Sequence, residues 1–267
     1  MPKAAAAHAQ PNSAPLAVAI AGGVMTVGIN RPLKRNALDD ATILALDACF
    51  QAIPSGVRVA LIHGVGDHFC AGLDLSELTE RDTTEGLMHS RLWHRAFDRI
   101  QFGPVPVIAA LQGAVIGGGL ELASACHIRV AERNVFYALP EGQRGIFVGG
   151  GGSVRLPRLI GVARMADMML TGRTYGAEEG VALGFSQYLV DNGQGLQAAR
   201  ELAVKVAGNA PMTNFAVVQA LPRIADSDPQ AGLLMESLMA AVAQNDREAK
   251  TRIQAFLTKK AGKVRRD

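Results

Sequence analysis

Residues 57–63 (VRVALIH) and 105–111 (VPVIAAL) are two short, almost wholly apolar runs. A strand with one wet face alternates apolar and polar residues. A continuous apolar run of this length suits a strand covered on both faces, as in a parallel sheet layered with helices. Further β-rich runs lie at 126–131 and 135–138, and 16–20 and 24–29 flank Ala-Gly-Gly as a hairpin. Between them, helical spacing predicts one helix capped by Asp39 or Asp40 and carrying Leu44, Leu46, Ala48 and Phe50, and a second over 85–100. Strands alternating with helices make this an α/β chain.

From about residue 153 the pattern turns helical, with apolar spacing over 198–207, 214–225, 230–243 and 246–257. Leu233, Leu234, Ser237 and Leu238 share a face of the third of these late helices, which predicts an appendage that packs on a neighbour. No repeat of solenoid length is present.

Composition narrows the classes. With 49% hydrophobic and 19% charged residues in 267, the chain reads as an ordinary globular protein. The 29 glycines cluster at 117–119 and 149–152, unlike a linker, and mark backbone that turns sharply or comes close to something. Cys49, Cys70 and Cys126 form no paired framework, so a reduced, cytoplasmic setting is expected. Residues 1–14 lack a signal-type apolar core and read as a tail. The formal charge of +3 is uneven: 259–267 hold five basic residues and one acidic, and the rest is close to neutral. A solvated end, a phosphate-bearing ligand and nucleic acid each fit that tail.

The densest motif is AVIGGGLELA, 114–123. It is no membrane span, because Glu121 would sit in lipid. It is no dinucleotide loop, because Leu122 stands where a third glycine belongs, and the Gly-Lys-Ser/Thr of a nucleotide loop is missing. Strand, glycine turn and helix remain. The first amides of such a helix have no internal partner and carry the positive end of its dipole, which suits a developing oxyanion. Glu121, three residues past Gly118, falls on the same face one turn on. A close-packed helix start with a capped or salt-bridged glutamate fits the same letters. Two other segments bear on the choice: the Ala-Gly turn in FCAGLDL (69–75) again frees backbone amides, and Glu141 follows Pro140 in a loop. Two carboxylates near two sets of free amides fit acid/base work at a polarised carbonyl. His63, His68, His89 and His94 lack metal-ligand spacing, so no metal is expected. Trp93 and Phe97, four apart on a helix, read more readily as core than as pocket wall.

Taken in order, NRPLKRNAL (30–38), FCAGLDL, GGGLELA (117–123), LPEGQRGI (139–146), GGGGSVRLPRLIG (149–161) and LTGRTYGAEEGVALGFSQYLV (170–190) resemble the crotonase, or enoyl-CoA hydratase/isomerase, superfamily over about residues 16–260. The resemblance implies a crotonase-like ββα spiral core over 15–205 and a C-terminal helical region over 206–267 for trimerisation, with trimers often paired into hexamers. It implies an acyl-CoA substrate in fatty-acid metabolism and no cofactor, coenzyme A being part of the substrate; nucleic-acid and membrane partners are not expected. The amides of Leu73 and Gly118 would form the oxyanion hole, and Glu121 and Glu141 the acid/base pair of a hydratase. Lys34, Arg35, Ala37, Ala71, Gly72, Asp74, Leu75 and Gly117 would line the coenzyme A path. Phe256 and Lys259 would reach a neighbouring subunit's coenzyme A. The glycines at 149–152 would start a helix beside the site, with close substrate approach. Double-bond isomerisation, thioester hydrolysis and retro-aldol cleavage need the same oxyanion hole, and an inactive RNA-binding relative is the remote alternative.

Overall fold

The computed structural model describes residues 14–77 and 80–258. Nine strands and two sheets result. They are β1 (Leu16–Ala21), β2 (Val24–Ile29), β3 (Val59–Gly64), β4 (Val107–Leu111), β5 (Ala114–Ile116), β6 (Ile128–Glu132), β7 (Phe136–Ala138), β8 (Tyr175–Gly176) and β9 (Tyr188–Val190). The main sheet runs β1-β2-β3-β4-β6-β9 and the second β5-β7-β8. The hairpin β1–β2 is antiparallel, turned by Gly22 and Gly23 at φ of 57° and 78°, the left-handed pair a two-residue hairpin turn needs. From β2 to β9 every main-sheet pairing is parallel. The apolar runs behave as expected: all five residues of β4 are buried, and so are five of the six in β3.

The helices are α1 (Asp40–Gln51), α2 (Thr83–Gln101), α3 (Gly118–Ala125), α4 (Gly152–Ile160), α5 (Val162–Thr171), α6 (Ala177–Leu183), α7 (Gly195–Ala207), α8 (Pro211–Phe215), α9 (Leu221–Asp226), α10 (Pro229–Asn245) and α11 (Arg247–Leu257). Asp39 caps α1, its Oδ1 accepting the Thr42 N–H at 2.8 Å. The inward face of α1 is Ile43, Leu46, Asp47 and Phe50; the expected Leu44 and Ala48 face out, because they lie off the i, i+3, i+4, i+7 stripe. One helix was expected over 214–225. Instead a π-helical stretch, Ala216–Ala220, joins α8 to α9. Pro222 has no N–H for the carbonyl four residues back, and widening the turn just before it avoids the clash.

One unit recurs: a main-sheet strand, a short second-layer strand, then a helix. β2 leads to Leu38 and α1, β3 to Cys70 and α2, and β4 to β5 and α3. Bridges Leu38–Leu73 and Cys70–Val115 and the β5–β7 pairing join the second-layer segments in parallel. This is the expected ββα spiral. On the outer face of the main sheet, α7 packs Ala199 and Ala203 against Val59, Leu61, Ile108, Ala110 and Val130.

At the far end, α11 is tied to the start of β3 by Arg58–Glu248 at 2.9 Å. Leu233, Leu234 and Leu238 of α10 are about 60% exposed, so that face is uncovered in the single chain. No helix among the described residues is long and apolar enough to cross a membrane.

Arg129 on β6 is 3% exposed and meets carbonyls alone: Nε donates to Phe185 at 2.6 Å, and Nη1 to Cys126 at 2.5 Å and Ala123 at 3.4 Å. It stands at the C-terminus of α3, where the dipole favours a cation. Arg129→Met leaves these carbonyls unpaired in the core. We expect a loss of about 3 kcal/mol in urea denaturation; a change below ~1 kcal/mol would show that the arginine is not a brace.

Candidate active site

Each glycine of the triplet is small for its own reason. A Cβ at Gly117, whose φ is 52°, would lie 2.5 Å from Glu141 Oε1. At Gly118 it would lie 2.6 Å from the Trp93 ring, and at Gly119 2.5 Å from the Cys70 carbonyl. Real Cβ atoms do not approach so closely, so this backbone is walled by a carboxylate, an indole and the preceding spiral turn.

Gly118 opens α3, and its N–H has no acceptor among the described residues; nor has that of Leu73. Gly72, at φ 94° and with the Ile116 carbonyl 2.9 Å from where its Cβ would stand, makes the turn that frees the Leu73 amide. The two amides lie side by side: a Cβ on Gly118 would be 3.6 Å from Leu73 N. Two neighbouring unpaired N–H groups, one on a helix N-terminus, are suited to receive an anion.

Glu121 sits in the first turn of α3 and is 3% exposed. Its Oε1 accepts N–H groups from Gly150 at 2.8 Å and Gly152 at 2.7 Å. Gly152 begins α4, so the carboxylate lies on a second helix N-terminus. Burial pushes its pKa up, against those amides and the nearby Arg155. Arg155 fixes the loop: Nη1 donates to the Gly150 carbonyl at 2.9 Å, Nη2 to Asp98 at 2.7 Å and Nε to Gln101 at 2.5 Å. The glycine run at 149–152 therefore holds the glutamate by its amides, beyond the expected packing role. A side chain at 152 would collide with Glu121 Cγ at 2.8 Å.

Glu141, 8% exposed, follows β7, and its Oε2 is buried without a partner among the described residues. Burial raises its pKa to about 7; the Glu121 charge adds to this, while its own backbone N–H and Arg144 oppose it. Leu73, Gly118, Glu121 and Glu141 line one cavity of about 330 Å³, with Trp93, Ile146, Phe147 and Val148 as apolar wall. Trp93 is thus both core and pocket wall, edge-to-face with the fully buried Phe97 at 5.6 Å.

The other expected site residues are placed differently. Ala71 N–H donates to the Arg35 carbonyl at 3.0 Å and Leu38 N–H to that of Gly72 at 2.7 Å, so loop 34–37 lies against turn 71–75. None of Lys34, Arg35, Ala37, Ala71, Gly72, Asp74, Leu75 or Gly117 lines the cavity. Asp74 is buried, bound to Arg31 at 2.8 Å and to Ser76, with Lys34 at 3.7 Å; the Ser76 and Arg31 hydrogen bonds outweigh its burial and hold its pKa down at about 2. The sequence reading missed Arg31, which also holds Asp39 at 2.8 Å and the Ala37 carbonyl. Phe256 is exposed on α11, and Lys259 lies outside the described residues. Burial lifts the thiols of Cys70 and Cys126 to about 12, which makes them packing groups. Among the described residues no three His, Cys, Asp or Glu gather as metal ligands.

Comparison with known proteins decides the family. The enoyl-CoA hydratase/isomerase family model matches residues 19–264. The chain belongs to the enoyl-CoA hydratase/isomerase family. Its spiral is the crotonase fold. Among the relatives of this family member, the short-chain-enoyl-CoA hydratase of Clostridium acetobutylicum is 34% identical, over 90% of this chain and 93% of the relative. A candidate enoyl-CoA hydratase of Rhodopseudomonas palustris CGA009 has a solved structure that superposes with a TM-score of 0.90 at 68% identity, over 97% of this chain and all of that one. The enoyl-CoA hydratase of Bacillus anthracis gives 0.86 at 30% identity, over 92% and 96%.

The raised Glu141 pKa has a stability consequence. The folded carboxyl, near 7, keeps a proton that the unfolded chain, at an ordinary 4.5, has released. Its contribution is full below about pH 4.5 and lost as pH rises through about 7. Glu141→Gln removes that loss. Its stability relative to wild type should therefore be higher at pH 8 than at pH 4.5 by on the order of 3 kcal/mol, read by urea denaturation. A pH-independent difference would show a carboxyl that titrates normally.

Proposed function

We propose that this enzyme adds water across the double bond of a 2-enoyl-CoA to give a 3-hydroxyacyl-CoA. The observation that carries this is the meeting of two unpaired amides and two buried carboxyls in one cavity. The thioester oxygen would accept the Leu73 and Gly118 N–H groups, which draws electrons from the conjugated double bond and makes C3 electrophilic. A water held between the carboxyls forms the new bond to C3. One water proton passes to a carboxylate, and the enolate collapses as C2 takes a proton from the partner carboxyl. The sum is addition of H and OH, with no redox change.

The two glutamates differ in a way that suits this division. Glu121 is fixed by two amides and faces Arg155, and these favour its ionised form against the burial that raises its pKa, which suits the base. Glu141, with a pKa near 7, holds its proton through much of the neutral range and suits the acid. They titrate as a pair, so the pH profile belongs to the dyad. The loop at 34–37 and the turn at 71–75 would carry the coenzyme A, with Lys34 the exposed cation nearest Asp74.

Glu121→Gln and Glu141→Gln should each lower kcat for hydration of trans-2-butenoyl-CoA by roughly 10²-fold or more, followed by loss of the enoyl absorbance. Near wild-type turnover in both would overturn the dyad. Conversion of a 3-enoyl-CoA, or release of free thiol, as the main reaction would replace hydration by isomerisation or hydrolysis.

We also propose that the exposed face of α10 is covered by other copies of this chain, in a trimer or a pair of trimers. Sedimentation should give a mass three or six times that of one chain; a monomer at micromolar concentration would remove this assembly.

A further inference from the structure

Gly86 differs from every glycine of the catalytic backbone. It stands inside α2, its φ is ordinary, and a Cβ added there would meet no atom within 4 Å. Nothing in the fold requires it, and glycine inside a helix is less favourable than alanine. Yet Gly86 lines the catalytic cavity. It shares a face of α2 with His89, Ser90 and Trp93, at the i, i+3, i+4, i+7 spacing of a single stripe. Trp93 stands against Gly118, at the reacting end. At 1.5 Å per residue, Gly86 lies roughly 10 Å up the helix from it. The missing side chain keeps that length of pocket open.

The polar groups along the stripe are already engaged. His89 Nε2 lies 2.8 Å from Asp40 Oδ1, and Ser90 donates to the Gly149 carbonyl at 2.6 Å. Beyond Gly86 the cavity reaches Arg81. Of its acidic neighbours, Asp82 caps α2 by accepting the Glu85 N–H at 2.8 Å and Glu85 accepts the Asp82 N–H at 3.0 Å, while the exposed Glu80 makes no ion pair with Arg81. Arg81 makes no ion pair with any described residue, half-buried at the end of a channel that begins at the glutamate dyad.

We propose that the cavity takes an acyl group whose far end is a carboxylate, which passes Gly86 and pairs with Arg81. The acyl part of this inference rests on the hydratase reading; the acid-ended part rests on the channel alone.

The test compares trans-2-octenoyl-CoA with the same thioester ending in a carboxylate, by kcat/KM, and the saturated eight-carbon pair by titration calorimetry. Wild type should favour the acid-ended member of each pair by about fivefold or more, the scale of a partly exposed ion pair. Arg81→Gln should bring that ratio to about one. Gly86→Leu should cut the ratio of eight-carbon to four-carbon kcat/KM by about tenfold or more while the melting temperature holds or rises, since leucine is the better helix former. No preference in wild type, or an Arg81→Gln variant that weakens acid-ended and methyl-ended thioesters equally, overturns the proposal; the arginine would then be reading coenzyme A itself. If wild type hydrates none of them, a preference among the saturated thioesters still upholds the channel and removes only the hydratase reading.

Discussion

Cys70 pairs in parallel with Val115, and Val115 with Tyr137. That register of three short second-layer segments sets everything else in the site. Leu73 lies three residues past Cys70, Gly118 three past Val115, and Glu141 four past Tyr137. Each follows its segment where the chain leaves the layer, so one level of the spiral gathers groups from three successive turns. A parallel ladder slipped by one residue would send every side chain to the opposite face. The buried Cys70, Val115 and Tyr137 make that slip costly. Core packing therefore sets the level of the site, and the Arg155, Gly150 and Gly152 hydrogen bonds fix Glu121 within it.

Within that level, α3 works as an oriented rod. Its N-terminus presents the free Gly118 amide, and its C-terminal carbonyls are met by the buried Arg129 guanidinium. A cation at one end and a developing anion at the other both follow the dipole. Glu121 would be repelled by an oxyanion forming beside it. The amides of Gly150 and Gly152 and the charge of Arg155 offset this by drawing its negative charge toward α4. In the proposed reaction two helix N-termini would divide the work: α3 would take the substrate's charge and α4 that of the proposed base, Glu121.

The doubly covered strands were legible because β3 and β4 are apolar along almost their whole length; Gly118 and Glu121 stood out as a glycine turn before a helix, but those letters alone fit a close-packed helix start equally well. Glu141 was legible only as a second carboxylate after a strand. Its meeting with Glu121 depends on second-layer register, which leaves no periodicity in strands three residues long. The glycine run at 149–152 was visible, but its amide acceptor lies 29 residues away at Glu121, and no local pattern encodes that. The Arg31 partner of Asp74 was not legible, because a carboxylate in such a turn reads the same whatever faces it. The α10 leucines were legible as a stripe, and their exposure in the single chain agrees with a face meant for something else.

The pairing of the two carboxyls also explains why the cavity wall is apolar. The buried Trp93 and Val148 stand against the dyad, Ile146 and Phe147 are exposed at its rim, and burial lifts Glu141 to about 7. A wetter pocket would return it to the ordinary glutamate range and leave no protonated partner at neutral pH. The same dryness strengthens the Leu73 and Gly118 amides toward an anion, because their field is less screened. In the proposed reaction, acid strength and oxyanion binding would therefore depend on one property, the burial of the cavity floor. A substitution that opens the wall weakens both together.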